Sequence, residues 1–249
     1  MRIKVKSIIY LFLTIGLILF VGACANRPND YTVNPLNILF IGNSLTHSNG
    51  GLDKILHKMF DSTDTPLKIR SMIIAPGGER LSGHYRKGDA VVQIKSIKWD
   101  YVVLQEYSTS PLTERESFYN YAKVFERIIR GTNAKTIFFM TWEFKDDPDM
   151  AAMLAGSYTA IADELGCEVV PVGLAWNKIR QERPDLELYT DFKHPNKVGS
   201  YLSACVFYSF LTNMNADESR YIMGIDRELA EYIQNIAFDT VKEWKKRYE

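Results

Sequence analysis

Short apolar runs alternate with longer amphipathic segments along most of the chain. Five runs are four to six residues long, and most are rich in Val, Ile, Phe or Tyr. They span residues 38–41, 69–74, 101–104, 136–140 and 168–172. Because their apolar residues are continuous and do not alternate with polar ones, the runs are typical of parallel strands buried on both faces of a sheet.

Helical patterns fill the intervals between these runs. In residues 114–130 the apolar positions recur every three or four residues and form one stripe. Residues 149–165 follow an Asp-Asp-Pro helix-start signal, residues 201–211 form an apolar helix, and residues 226–248 form an amphipathic helix. Strands and helices therefore alternate, which predicts an α/β fold with a parallel sheet and right-handed crossovers.

The N-terminal residues have a different pattern. Arg2, Lys4 and Lys6 precede an almost wholly apolar run over residues 8–21, and no acidic residue occurs before Asp30. Basic residues followed by an apolar run are typical of a secretory signal. We therefore expect an exported protein.

Small residues directly before Cys24, in the sequence Val-Gly-Ala-Cys, resemble the lipobox of bacterial lipoproteins, which are cleaved before the cysteine and lipidated on it. A transmembrane anchor is the alternative, but the run is shorter than the about 20 apolar residues of a span. We expect a signal peptide over residues 1–23, a lipidated Cys24 and polar tether over residues 24–35, and one domain over residues 36–249. The lipid would hold the protein at a bacterial membrane, on its periplasmic face or at the cell surface.

Composition excludes several classes of protein. The 30 basic and 30 acidic residues cancel, which argues against a nucleic-acid partner. Three cysteines exclude a disulfide scaffold, and the four histidines are too scattered for a zinc site, so we expect no metal and no cofactor. Cys167 and Cys205 are expected to be buried, although an exported location would permit a bridge between them.

Polar residues follow each predicted strand, at the sheet edge where reactive groups gather in α/β folds. Ser44 follows the first strand where a helix is about to begin, so its hydroxyl could act as a nucleophile, although Asn43 or Ser44 could equally cap the helix. His194 could serve as the base, and Asp191, three residues earlier, could orient it. This pairing with an early serine favours nucleophilic catalysis.

An oxyanion hole needs two or three hydrogen-bond donors. The backbone N–H of Ser44 and that of Gly78 or Gly77 are candidates, as is the side-chain amide of Gln105. Gln105 is preferred over Glu106 because alternation sends the two to opposite faces and a carboxylate would repel the oxyanion.

Three further residues are candidates for substrate binding. His84 could reach the mouth of the site, and Trp142 with Glu143 could form one wall of a pocket, where Trp142 could stack on a sugar ring. The alternative is that His84 lies on the surface and that Trp142 packs in the core, which is commoner for such residues.

Taken in this order, the motifs from Ile38 to Asn196 resemble those of the SGNH/GDSL hydrolase superfamily. The resemblance implies a flavodoxin-like three-layer α/β/α sandwich with five parallel strands in the order 2-1-3-4-5, and ester hydrolysis through an acyl intermediate on Ser44. Two blocks depart from the family pattern. Asn43 stands where the family usually has Asp, and Gln105 lies in the block that usually reads Gly-x-Asn-Asp.

The sequence therefore predicts a lipid-anchored serine esterase. Partly by analogy with the family, we expect short acyl esters as substrates, above all O-acetyl groups on carbohydrate. Two alternatives stay open. One is a lipase, lysophospholipase or thioesterase, and the other is a glycan-binding or partner-binding lipoprotein that has lost turnover on the same scaffold.

Overall fold

The computed structural model describes residues 34–248, and their centre is a five-stranded sheet in the order β2-β1-β3-β4-β5. Every pair of neighbouring strands is parallel. The strands are β1 (Leu36–Ile41), β2 (Ile69–Ile74), β3 (Tyr101–Leu104), β4 (Lys135–Phe139) and β5 (Glu168–Val170). The predicted fold class and strand order are confirmed.

Helices connect the strands and cover both faces of the sheet. They are α1 (Ser44–His47), α2 (Leu52–Asp61), α3 (Leu81–Lys87), α4 (Asp89–Ser96), α5 (Ser110–Thr113), α6 (Arg115–Arg130), α7 (Met150–Leu165), α8 (Val172–Glu182), α9 (Lys197–Thr212) and α10 (Arg227–Lys245). Short 3₁₀ turns lie at Ser48–Gly50, Ala216–Glu218 and Lys246–Tyr248. The four predicted helices correspond to α6, α7, α9 and α10. None of the helices within residues 34–248 is long and apolar enough to cross a bilayer.

Two apolar cores, one on each face of the sheet, make the three layers. Side-chain alternation sends Phe40 to the core shared with α2, α8, α9 and α10, where its ring packs edge-on against Phe207 at 5.6 Å. It sends Leu39 to the opposite core, where Phe138 meets Phe118 of α6 at 6.2 Å. Burial on both faces explains why the strands have continuous apolar runs.

The two cysteines in the described residues are free thiols, with Cys205 buried and Cys167 half-buried. Burial raises the pKa of the Cys167 thiol to about 11. The expected signal peptide, the lipidation site Cys24 and most of the tether lie outside the described residues.

The loop before α9 is held in place by close packing. The Trp142 and Trp176 rings stack with centroids 4.0 Å apart, and the Trp142 indole N–H donates to the Lys193 carbonyl at 3.0 Å. Gly199, in the first turn of α9, lies so close that a Cβ there would be 2.5 Å from the Leu188 carbonyl oxygen and 2.6 Å from the Trp176 ring. This contact fixes the distance between α9 and the loop over residues 188–196.

Two helical glycines provide a matched test of that contact. We expect Gly199→Ala to lower the free energy of unfolding by about 1–3 kcal/mol, since the new methyl group overpacks against Trp176 and backbone. Gly156→Ala in α7 meets no atom within 4 Å, so helix propensity should raise the free energy of unfolding by about 0.5–1 kcal/mol. Urea unfolding measures both, and a stabilising Gly199→Ala would contradict the close approach.

Candidate active site

Ser44 is the first residue of α1, directly after the turn that follows β1. The helix is capped by its neighbour Asn43, whose side-chain oxygen accepts from the Leu45 N–H at 3.1 Å. The Asn43 amide also donates to the Glu79 carbonyl at 3.0 Å. Because Asn43 does the capping, the Ser44 hydroxyl is free for another partner.

That partner is His194, which lies 150 positions further along the chain. The Ser44 Oγ is 2.9 Å from His194 Nε2, and His194 Nδ1 is 2.7 Å from Asp191 Oδ2. The structure therefore brings the three predicted catalytic residues together in one hydrogen-bonded series. The series has the order nucleophile, base and orienting acid.

Asp191 is held as a carboxylate. Desolvation raises its pKa, but hydrogen bonds from the backbone N–H and ring of His194 and from the N–H of Lys193 outweigh it and lower the pKa to about 2. The two backbone N–H groups donate to Asp191 Oδ1 at 2.7 and 2.8 Å. An ionised Asp191 can fix the tautomer of His194 and can stabilise an imidazolium if the ring takes a proton.

The Gly77-Gly78 pair forms a tight turn at the same edge of the sheet. The Glu79 N–H donates to the Pro76 carbonyl at 3.3 Å, and Gly78 has a φ of +70°, which a type II turn requires at its third position. Within residues 34–248, the N–H groups of Ser44, Gly77 and Gly78 have no hydrogen-bond partner. These N–H groups are available to an oxyanion, and that role stays a prediction.

Gln105 does not serve as an oxyanion donor, which corrects the sequence-based expectation. Its side chain is only 1% exposed and lies beneath the serine turn. Its Oε1 accepts from the Asn43 N–H at 2.9 Å and the Thr46 hydroxyl at 2.8 Å, while its Nε2 donates to the Glu106 carbonyl. Gln105 therefore supports the nucleophile turn from below.

Glu106, the next residue, is also buried. Its carboxyl accepts from the N–H groups of Tyr107 at 2.6 Å and Leu81 at 3.4 Å. Burial raises the pKa of Glu106 to about 7, against the lowering effect of these hydrogen bonds. The carboxyl is thus only partly ionised at neutral pH.

The three residues expected to bind substrate are buried as well, so this expectation is wrong. His84 is 2% exposed, its Nε2 lies 2.7 Å from the Gly42 carbonyl oxygen, and desolvation lowers its pKa despite that hydrogen bond. Trp142 is stacked on Trp176 inside the core. Glu143 is fully buried and paired with Arg180 at 2.7 Å. The first positions after a strand lie under the loops, where polar groups brace the backbone.

Asn49 is a residue of the site that the sequence did not reveal. Its amide donates to the Pro195 carbonyl at 2.9 Å, the Asn196 carbonyl at 3.0 Å and the Ser200 hydroxyl at 2.8 Å. These hydrogen bonds connect the 3₁₀ turn after α1 to the loop over residues 188–196 and to the first turn of α9. The Asn-Gly-Gly sequence indicates a left-handed turn, which matches the Asn49 φ of 54°, but its distant partners had no sequence signal.

The exposed aromatic residue next to the catalytic loop is Phe192, which was also missed. Its side chain is 50% exposed and packs edge-on against Phe144 with ring centroids 5.2 Å apart. It directly follows Asp191, so an apolar surface lies beside the catalytic series. Within residues 34–248, no group of three or more His, Cys, Asp or Glu side chains could hold a metal ion.

Comparison with solved structures identifies the fold. A DUF4886 family protein from Bacteroides uniformis ATCC 8492 superposes with a TM-score of 0.67 at 19% identity, covering 84% of this chain and 95% of that one. A candidate SGNH hydrolase from Slackia heliotrinireducens gives 0.59 at 25% identity, covering 70% and 97%. The acetyl xylan esterase AlAXEase gives 0.59 at 16% identity, covering 70% and 98%.

The chain has the SGNH/GDSL hydrolase fold. The resemblance read from the sequence motifs is thereby confirmed, with Ser44 in the first block and Asp191 and His194 in the last. No protein-family model and no curated protein matches the sequence.

Removing the Asn49 amide should loosen this SGNH-type site. Asn49→Gly keeps a left-handed backbone accessible but deletes two hydrogen bonds to the loop over residues 188–196 and one to Ser200 of α9. We expect Ser44 to react with a fluorophosphonate probe at least about 10-fold more slowly, because small errors in orientation slow attack strongly.

Asn133→Gly is the matched control, since Asn133 also has a positive φ of 64° but lies in an exposed turn after α6. It should label at the wild-type rate. Equal labelling rates for Asn49→Gly and the wild type would remove Asn49 from the site.

Proposed function

We propose that the protein is a serine esterase that hydrolyses short-chain acyl esters, above all O-acetyl groups on carbohydrates. The observation that carries the proposal is the unbroken series from Ser44 through His194 to Asp191, with hydrogen bonds of 2.9 and 2.7 Å. The series lies at the carboxyl edge of the sheet, and backbone N–H groups are available beside it.

In the first half of the reaction, the Ser44 oxygen attacks the ester carbonyl while His194 Nε2 takes the hydroxyl proton. The carbonyl oxygen becomes an oxyanion, to which the N–H groups of Ser44 and of Gly78 or Gly77 donate hydrogen bonds. The C–O bond to the alcohol then breaks, and the imidazolium returns its proton to the leaving alcohol oxygen.

In the second half, water attacks the acyl group on Ser44 and His194 removes one of its protons. The bond between the Ser44 oxygen and the acyl carbon breaks, the serine regains a proton from the imidazolium, and the acid leaves. Asp191 remains ionised in both halves, since its pKa of about 2 is far below neutral pH.

Two observations support a sugar ester over a lipid. One solved structure with this fold is an acetyl xylan esterase. In addition, the half-exposed ring of Phe192 lies next to Asp191 and offers a flat apolar surface on which a sugar ring can stack. Phe192 replaces Trp142 in that role, because Trp142 is in the core.

The test is acetate release from 4-nitrophenyl acetate and from acetylated xylan. Ser44→Ala should lower the rate at least about 1,000-fold, because the residual rate then comes from binding and the oxyanion donors alone. Ser96→Ala, at the exposed end of α4, removes a hydroxyl far from the site and should retain full activity.

A series of 4-nitrophenyl esters from acetate to octanoate separates the proposal from a lipase or thioesterase. Activity that rises with chain length would overturn the preference for short acyl groups. A folded protein that releases no acetate and does not react with fluorophosphonate would instead point to a binding protein on a hydrolase scaffold.

We also propose that lipid on Cys24 holds the mature protein at a bacterial membrane, on the strength of the small residues before that cysteine. In cells given labelled palmitate, the protein should take up the label and Cys24→Ala should not. Cys167→Ala is the control, since it removes a half-buried thiol of the folded domain and should take up as much label as the wild type. Equal labelling of Cys24→Ala and the wild type would contradict the lipid anchor.

A further inference from the structure

Two cationic side chains share one tyrosine ring beside the catalytic series. The Arg80 guanidinium lies 4.5 Å from the centroid of the Tyr107 ring, and the Lys193 ammonium lies 5.2 Å from the same centroid. Lys193 Nζ also donates to the Tyr107 hydroxyl at 3.5 Å. These three residues are called the Tyr107 cluster below.

Each member of the Tyr107 cluster comes from a loop that also carries part of the site. Arg80 follows the Gly77-Gly78 turn, Tyr107 follows β3, and Lys193 directly precedes His194. The Lys193 backbone is fixed at both ends, since its N–H donates to Asp191 and its carbonyl accepts from Trp142. The cluster therefore keeps a set position relative to the catalytic histidine.

Within residues 34–248, Arg80 has an acidic partner and Lys193 has none. The Arg80 guanidinium pairs with Glu114 at 2.8 Å and donates to the Ser110 hydroxyl at 3.2 Å. No carboxylate of residues 34–248 lies within 4 Å of the Lys193 ammonium. A cation–π contact orients an ammonium but leaves its charge in place.

The acidic residues near the cluster do not pair with this ammonium. Asp191 keeps its negative charge, but its oxygens accept from the His194 ring and from the backbone N–H groups of Lys193 and His194, and Glu79 is paired with Lys87. Glu106 is buried with a raised pKa of about 7, so it offers only part of a negative charge at neutral pH. Within residues 34–248, the Lys193 ammonium therefore has no ion-pair partner of its own.

Lys193 also lies beside the aromatic surface on which a sugar can stack. Its ammonium is 5.3 Å from the centroid of the Phe192 ring, nearly the same as its distance from Tyr107. Because the ammonium lies over the Phe192 ring, a sugar that contacts Phe192 would also come close to an ammonium without an ion-pair partner. The group that fits there is an anion attached to the sugar.

We propose that the Tyr107 cluster is a subsite for an anionic group on the alcohol part of the ester, with Lys193 as the residue that binds it. Resting on the proposed esterase function, this assigns the substrate class as acyl esters of acidic sugars, which carry a carboxylate or a phosphate. The aromatic rings hold the ammonium in place beforehand, which lowers the entropy lost on binding.

The experiment compares three mono-O-acetylated sugars that differ at one carbon. They are the acetates of methyl glucuronoside, of methyl glucoside and of methyl glucoside 6-phosphate. At low salt we expect kcat/KM for acetate release to favour a charged sugar over the neutral one by about 10-fold, as for a partly buried charge-assisted hydrogen bond. The preference should shrink at about 0.5 M salt, where screening is strong.

Variants of Lys193 assign the preference to that residue. Lys193→Met should bring the ratio of charged to neutral kcat/KM close to one, and Lys193→Arg should keep most of it. Lys135→Met is the control, because Lys135 is an exposed lysine at the opposite end of the sheet, and it should keep the full ratio. Of the two charged sugars, the one with the higher kcat/KM shows whether the subsite prefers a carboxylate or a phosphate.

Equal kcat/KM for the charged and neutral sugars, or a preference that survives in Lys193→Met, would overturn the subsite. If none of the three sugars releases acetate, the subsite is judged by binding alone, and the esterase function is judged separately by hydrolysis of 4-nitrophenyl acetate. Calorimetry on Ser44→Ala then compares unacetylated methyl glucuronoside with methyl glucoside. Binding of the acid that is lost on adding Lys193→Met supports the subsite, and equal affinity for both sugars rejects it.

Discussion

The rest of the structure has to hold one hydrogen bond in place, the 2.9 Å contact between Ser44 and His194. The two residues are 150 positions apart in the chain, so each has to be fixed by its own surroundings. The serine side is fixed by the end of β1 and by the Gln105 amide beneath the turn. The histidine side is fixed by the Trp142–Trp176 stack and by Asn49, which bonds the two segments directly. Preorganisation of this kind allows a weak nucleophile to react without a further rearrangement.

Several polar residues near the carboxyl edge of the sheet hold the backbone around that hydrogen bond. Gln105, His84 and Glu143 are each almost fully buried and bound to backbone or to an ion-pair partner. Burying a polar group without a partner costs about 1–3 kcal/mol, so the hydrogen bonds of these side chains stabilise the turns, although Glu143 Oε2 has no partner within residues 34–248. Under the proposed function, substrate contacts therefore fall to the outer loop residues, among them Phe192 and Lys193.

The residues that would carry out the reaction are therefore different from the residues that would select the substrate. In the proposed reaction, the series from Ser44 to Asp191 and the backbone N–H donors act on the ester group alone, whatever alcohol or acid it joins. The outer residues differ in chemistry from the buried ones, with an exposed ring at Phe192 and two cations around Tyr107. Loops of this kind commonly carry specificity on a scaffold shared by many functions.

Much of the architecture follows from local sequence patterns. Continuous apolar runs specify strands that need cover on both faces, and the residues at their ends locate Ser44, Asp191 and His194. Local patterns also indicate the Gly77-Gly78 turn, because glycine permits the positive φ that Gly78 adopts. The fold class and the candidates for catalysis could therefore be predicted from the chain itself, and the strand order from the family that its motifs resemble.

What tertiary structure alone decided is which side chains face inward beneath the loops and which face outward. Gln105 and Trp142 were indistinguishable from site residues in sequence, since burial depends on the segments packed above them, including residues far along the chain. The same holds for Asn49 and Lys193, whose partners lie on other loops. Sequence determined the elements and the reactive groups, and long-range packing decided which polar groups brace the site and which remain free to meet a substrate.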